Sequence, residues 1–247
     1  MELRSKGRAL AAPVAGRRSG ALRRQEAIHG WLLVSPWVAG LVVFIVGPVV
    51  ASLYLSLTDY NVLNPPVYVG LKNYVTAFTG DRLFPLAIGR TVYYVVLTVP
   101  LGILGSLGLA LLLNRGVPGT NLFRTMFFLP SLTPVVASAI LWTWILQPQV
   151  GLLNYLLHFI GVRGPAWLGN PATALPALSV ITLWGSLGGT TMIIFLAGLQ
   201  GVPQELYDAA AIDGAGGWRK FRYVTLAMIS PTVLFNLVLG IIGAFQV

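Results

Sequence analysis

The sequence contains no cysteine, which excludes disulfide frameworks, zinc ribbons, iron–sulfur clusters and a thiol nucleophile. Only two histidines occur, His29 and His158, too few for a haem pair or a His-rich metal site. Charge is scarce as well: Asp, Glu, Lys and Arg together make up 9% of 247 residues, against about 25% in an ordinary soluble domain. The only lysines are Lys6, Lys72 and Lys220, and no Gly-x-x-x-x-Gly-Lys-Ser/Thr occurs. The chain therefore has no phosphate-cradling P-loop and cannot hydrolyse ATP by that route. His-Glu-x-x-His is missing too, which excludes a zincin. The run Trp184-Gly185-Ser186-Leu187-Gly188 sets a serine among glycines, but no histidine follows His158 to activate it. Small residues that let helices approach closely are the better reading of that run.

What is present is apolar: 56% of residues are hydrophobic and the mean hydropathy is +0.78. The charges fall in islands that leave residues 27–58, 91–114, 125–162, 164–204 and 223–247 free of Asp, Glu, Lys and Arg. A hydrocarbon core about 30 Å thick takes roughly 20 apolar residues of helix, so each stretch holds one span. The expectation is an all-α, polytopic transmembrane helix bundle. It has a basic tail at 1–30, a membrane domain at 31–247, and spans at about 31–57, 91–113, 125–146, 174–199 and 223–247. Pro36, Pro48, Pro100, Pro130, Pro134, Pro176 and Pro231 fall in these runs, which membrane bundles tolerate because neighbouring helices re-satisfy the freed backbone groups.

Orientation follows from the retention of Lys and Arg on the cytoplasmic side. Of the 16 basic residues, 12 lie in the tail, the loop after span two and the loop after span four, so the N-terminus is expected in the cytoplasm. The first apolar stretch is too long for the hydrophobic region of a cleavable signal peptide. The net charge of +9 does not point to nucleic acid, because the basic tail has no interleaved aromatics. No ionisable residue falls within a span, so the usual sign of a proton relay or ion-coupled site is missing. A transporter built this way takes its energy from elsewhere. His158 belongs to a short apolar segment, 151–160, expected to lie at the outer interface.

The loop 201–222 is the most informative segment. Pro203 suits the first turn of a helix, Glu205 lies where the positive end of the dipole favours an acid, and Gly214 is a natural stop. On that helix Leu206, Ala209 and Ala210 share a face, with Asp213 one turn on. Such a helix either seats in another protein's groove or rests on lipid headgroups as a connector, and the residues alone leave both open.

The run Leu206-Tyr207-Asp208-Ala209-Ala210-Ala211-Ile212-Asp213-Gly214-Ala215 resembles the EAA loop of binding-protein-dependent ABC importer permeases. Asp208-Ala209-Ala210 stands for Glu-Ala-Ala, Gly214 follows at the family spacing, and Val224-Thr225-Leu226-Ala227 stands for Ile-x-Leu-Pro. Asp208, Val224 and Ala227 depart from the pattern; only the last, a missing proline, alters a kink. Segments 56–61 with 69–74, 124–130 and 147–154 are also similar to the carbohydrate-uptake branch, and to the F-like permeases of maltose transporters rather than their G-like partners.

The resemblance implies a chain that binds no cofactor itself and pairs with a second homologous permease and two copies of an ATP-binding subunit that hold ATP and Mg. It also implies an extracytoplasmic solute-binding protein, a bacterial or archaeal inner membrane, and lipid but no nucleic acid as surroundings. Glu205, Leu206, Asp208, Ala209, Ala210, Asp213 and Gly214 become the ATPase-coupling residues, and catalytic and metal-binding residues are expected to be none. Family members carry a further span, so the apolar run reaching Val247 implies a chain truncated before a sixth. A sugar path needs hydroxyl, amide and aromatic groups, for which the spans offer Trp184, Ser186, Thr190, Thr191, Asn236 and Gln246. The alternatives are a secondary transporter driven by an ion gradient, which the charge-free spans disfavour, and a membrane scaffold in which 203–215 is only a connector.

Overall fold

The computed structural model describes residues 20–116 and 118–246. Arg4, Lys6, Arg8, Arg17 and Arg18 of the basic tail, and Val247 at the end of the fifth expected span, lie outside the described residues. The chain packs as two units, Met1–Asp81 and Arg82–Val247.

In the first unit, helix α1 (Gly20–Leu41) runs through a π-helical turn, Val42–Val46, into α2 (Gly47–Ser56). Leu22–Ser56 is thus 35 residues of helix, long and apolar enough to cross a membrane. It begins well before Trp31, because Ala21 to Glu26 are good helix formers and composition marks charge rather than coil. The π turn precedes Pro48, whose ring cannot donate and would crowd the carbonyl four residues back. Gly47 N–H bonds instead to the Val42 carbonyl, five residues back. A two-residue hairpin follows, β1 (Thr58–Asp59) against β2 (Val67–Tyr68), antiparallel with Thr58 opposite Tyr68. These strands depart from the all-α expectation. Asn73 of α3 (Lys72–Val75) fastens them by donating to the carbonyls of Ser56 (2.9 Å) and Thr58 (2.8 Å), and the hydroxyls of Ser56 and Tyr74 pair at 2.7 Å.

The second unit is built round α4 (Leu83–Asn114), 32 residues long, with Pro100 inside it. Its successors are α5 (Thr120–Phe128), a 3-10 turn at Leu129–Leu132, α6 (Val135–Ile145), α7 (Leu152–Phe159), α8 (Pro171–Ser186) and α9 (Thr190–Gln200). Then come α10 (Gln204–Ile212), α11 (Gly217–Lys220), a π turn at Phe221–Thr225, α12 (Leu226–Met228) and α13 (Ser230–Ala244). The central helix α4 packs chiefly on α9, α13 and α8. Leu107, Ala110 and Leu113 of α4 meet Met192, Phe195, Leu196 and Leu199 of α9, with Ile229 closing the cluster. Tyr94, Val99 and Ala244 form a second, smaller cluster nearer the other end of α4.

The expected third, fourth and fifth spans are not straight. Thr120–Leu132 meets Val135–Ile145 at 95°, Pro171–Ser186 meets Thr190–Gln200 at 46°, and Gly217–Met228 meets Ser230–Ala244 at 65°. By length and apolarity the described residues hold two membrane-crossing helices, or up to five if each bent pair is one span. Each bend has a local cause. Thr133 precedes Pro134 and is extended, ψ 126°, as a residue before proline prefers. Gly189 leaves the helical region with ψ −146°, and at Gly188 a Cβ would strike the Phe127 carbonyl, so only glycine lets α5 approach the break. At Ile229 the backbone sits at φ −89° and ψ 2°, a sparsely occupied bridging conformation.

Candidate functional site

Helix α10 and its cap form one candidate surface. Pro203 at its entrance is extended (ψ 134°) and Glu205 lies in the first turn. At the exit Gly214 adopts φ +73°. Its N–H donates to the Ala211 carbonyl at 3.0 Å while the Ala215 N–H reaches back to Ala210 at 2.9 Å, the paired bonds of a Schellman ending. Glu205, Leu206, Asp208, Ala209, Asp213 and Gly214 are all exposed, whereas Ala210 and Tyr207 are half-buried. Ala210 therefore lies toward the body of the chain rather than fully on the face with Leu206 and Ala209. Gln204 Nε2 donates to Asp208 Oδ1 at 3.2 Å within the helix. Ile212, at the end of the helix, is 87% exposed, a large apolar side chain left uncovered among the described residues.

Among the described residues, one side-chain hydrogen bond ties the helix to the rest of the chain. The hydroxyls of Tyr207 and Thr225 pair at 2.9 Å, joining α10 to the π turn, and Thr225 is 5% exposed. A cleft of about 870 Å³ lies alongside, lined by Gln204 and Tyr207 together with Trp218, Lys220, Phe221 and others.

A second candidate lies between α4, α8, α9 and α13. A cavity of about 200 Å³ is lined by Tyr94, Thr98, Ser106, Thr182, Ser186, Thr191 and Asn236, with glycines and apolar residues between them. Its polar side chains are neutral, and most of them are hydrogen-bonded within the bundle. Tyr94 and Thr182 pair through their hydroxyls at 2.6 Å, Thr98 donates to the Tyr94 carbonyl at 2.7 Å, and Ser106 donates to the Ser186 carbonyl at 3.3 Å. Asn236, 5% exposed, donates from Nδ2 to the Thr232 carbonyl at 2.9 Å.

Of the six side chains expected on a solute path, Ser186, Thr191 and Asn236 come together here, and Trp184, Thr190 and Gln246 do not line the cavity. Trp184 packs edge-on against Trp142, centroids 5.5 Å apart, and Thr190 and Gln246 are exposed. The sequence reading missed Tyr94, Thr98, Ser106 and Thr182. A spacing signal was available, since 94 and 98, then 102 and 106, repeat every four residues on one face of α4. His158 is exposed on α7, and no group of three or more His, Asp and Glu among the described residues could hold a metal.

Apolar helices bent around a small neutral cavity define a multi-pass membrane protein. Residues 99–246 match the model of the family described as binding-protein-dependent transport system inner membrane component, and the chain belongs to that family. It is 38% identical over 225 residues to a probable ABC transporter permease protein, YesP, of Bacillus subtilis, spanning 90% of this chain and 72% of that one. It is 33% identical over 227 residues to the trehalose/maltose transport system permease protein MalF of Thermococcus litoralis, spanning 92% and 76%. Among solved structures it is similar to a bacterial ABC transporter that imports the acidic polysaccharide alginate, with a TM-score of 0.74, 25% identity, and 89% and 73% of the two chains covered. The chain is thus an inner-membrane permease subunit of an ABC importer, a transport component and not itself an enzyme.

Proposed function

We propose that this permease moves a neutral sugar or a closely related small polar solute into the cell, and that α10 receives the drive from a separate ATPase. The observation that carries the reading is the pairing of a charge-free, hydroxyl-lined cavity with an exposed helix bonded to the bundle through Tyr207 and Thr225. Hydroxyls and one amide can exchange hydrogen bonds with sugar hydroxyls, whereas a buried solute charge would find no counter-charge and pay a large desolvation penalty. The cavity is smaller than the roughly 300–1,000 Å³ of drug-sized ligand pockets, so this chain's share of the path suits one sugar unit at a time. Three similar proteins are named for trehalose/maltose, lactose and starch degradation products, which supports a carbohydrate.

In this reading the five apolar segments are five spans with the N-terminus in the cytoplasm. Leu206, Ala209 and Asp213 meet the ATPase, with Glu205, Asp208 and Gly214 around them and Ala210 behind. ATP and Mg stay on two copies of that subunit, a second permease completes the pore, and an extracytoplasmic binding protein delivers the solute. A solved similar transporter is in complex with an alginate pentasaccharide-bound periplasmic protein, which supports the last partner. The test is affinity purification of the tagged chain in mild detergent from its own host, followed by identification of what co-elutes and an ATPase assay. An ATP-hydrolysing subunit and a second permease in the eluate are expected. A lone chain without nucleotide hydrolysis would overturn the assignment of α10.

A further inference from the structure

We infer that the Tyr207–Thr225 hydroxyl pair is the positioning contact through which movement of α10 reaches the polar cavity. The inference rests on the reading of α10 as the ATPase-facing helix, and it concerns two residues outside the exposed face assigned to that contact. Among the described residues, it is the one side-chain hydrogen bond that leaves α10: the other bond made by an α10 side chain, Gln204 to Asp208, stays within the helix.

Its far end is fixed in the bundle. Thr225 closes the π turn, in which Leu226 N–H bonds five residues back to the Phe221 carbonyl. Single π turns inside helices are often found at functional sites. The Thr225 carbonyl accepts from the Ile229 N–H at 3.0 Å, and Ile229, 1% exposed, lies in the core with Phe195 and Met192. Ile229 is also where the chain bends by 65° into α13. From there the Val233 N–H returns to the Ile229 carbonyl at 2.9 Å, and Asn236, one turn further on, lines the cavity.

A pull on Tyr207 therefore bears on a buried hydroxyl late in the first segment of a bent, two-segment element, just before its bend, and the second segment supplies part of the cavity wall. A bend between two packed helical segments is the kind of element that has discrete arrangements to switch between. The alternative is that the bond only holds α10 in place, and the two roles differ in what they do to the ratio of transport to hydrolysis.

The experiment compares Tyr207→Phe, Thr225→Val, the double variant and Thr225→Ser in the complete transporter reconstituted in vesicles. Solute uptake and ATP hydrolysis are measured on the same preparations. The expected result is a fall of about three- to tenfold in solute moved per ATP for each single loss of a hydroxyl, in the range of one hydrogen bond and of ordinary coupling between sites. The subunit composition is unchanged, the double variant is no worse than either single variant, and Thr225→Ser restores the ratio. Wild-type ratios in Tyr207→Phe and Thr225→Val would overturn the inference. So would losses that add in the double variant, or a parallel loss of ATPase subunits and uptake at a constant ratio. Ala209→Glu separates this from the underlying reading: if a bulky acid on the exposed face leaves the ATPase bound, α10 is not its contact and both ideas fall, whereas release of the ATPase leaves the pair to be judged on its own ratio.

Discussion

Gly214 combines a left-handed backbone, φ +73°, with open space where a Cβ would stand, nothing lying within 4 Å. Its requirement for glycine is therefore conformational and not a matter of room inside this chain. Alanine there should cost about 1 kcal/mol through the left-handed strain and fray the end of α10 without preventing insertion. Asn and Asp tolerate that conformation better than other side chains, which allows shape and charge to be separated. Gly214→Asn is expected to keep most ATPase co-purification and uptake, while Gly214→Asp, a second acid next to Asp213 on the exposed cap, loses both with membrane insertion intact. Equal effects of the two, measured by co-elution, would assign the position to helix capping alone.

The cavity makes a matching case. Asn236→Leu removes the amide and fills space without adding charge, so uptake should fall at least tenfold while the purified complex still hydrolyses ATP. That position was legible because Asn236 is the one Asn in the run 223–247. Thr98 was not, since a threonine that bonds its own helix, here to the Tyr94 carbonyl, reads in sequence as any span threonine.

The breaks between helices decide which side chains meet. Thr190 and Thr191 are neighbours in sequence and about 100° apart round a helix, and only Thr191 lines the cavity. A span apolar on every side offers no amphipathic face to tell them apart, so sequence located the apolar segments and left their rotation open. The bends themselves were partly readable: proline marks the break before α6, but no proline falls between α8 and α9, where Gly188 admits the Phe127 carbonyl. Gly188→Val should therefore be among the most damaging single changes, forcing backbone apart in a tightly packed region at a cost of several kcal/mol, above the usual 1–3 of overpacking. Gly185, one turn earlier, has nothing within 4 Å of a new Cβ, and Gly185→Ala should be neutral. Membrane abundance and thermal melting of the two purified variants, side by side, check this; equal stability would mean that the close approach is not fixed.

The helix assignments and the loop at 201–222 were readable because they rest on hydropathy and on local signals such as Pro203 and Gly214, whereas the tether from Tyr207 to Thr225 spans 18 residues and has no sequence signature. What the sequence lacks then bears on how the assembled importer is powered. The apolar runs 27–58, 91–114, 125–162, 164–204 and 223–247 contain no Asp, Glu, Lys or Arg, so this chain offers no intramembrane carboxylate to take up a proton or sodium ion, and it has no P-loop of its own. In the proposed function free energy enters through a separate ATPase, with α10 the exposed element that receives it. In vesicles holding the complete transporter, uptake should follow ATP supplied on the side of α10 and persist when ionophores collapse the proton and sodium gradients. The chain reconstituted alone should give neither uptake nor hydrolysis. Uptake that survives ATP depletion but fails with an ionophore would place the energy source in an ion gradient, and α10 would then be a connector between spans.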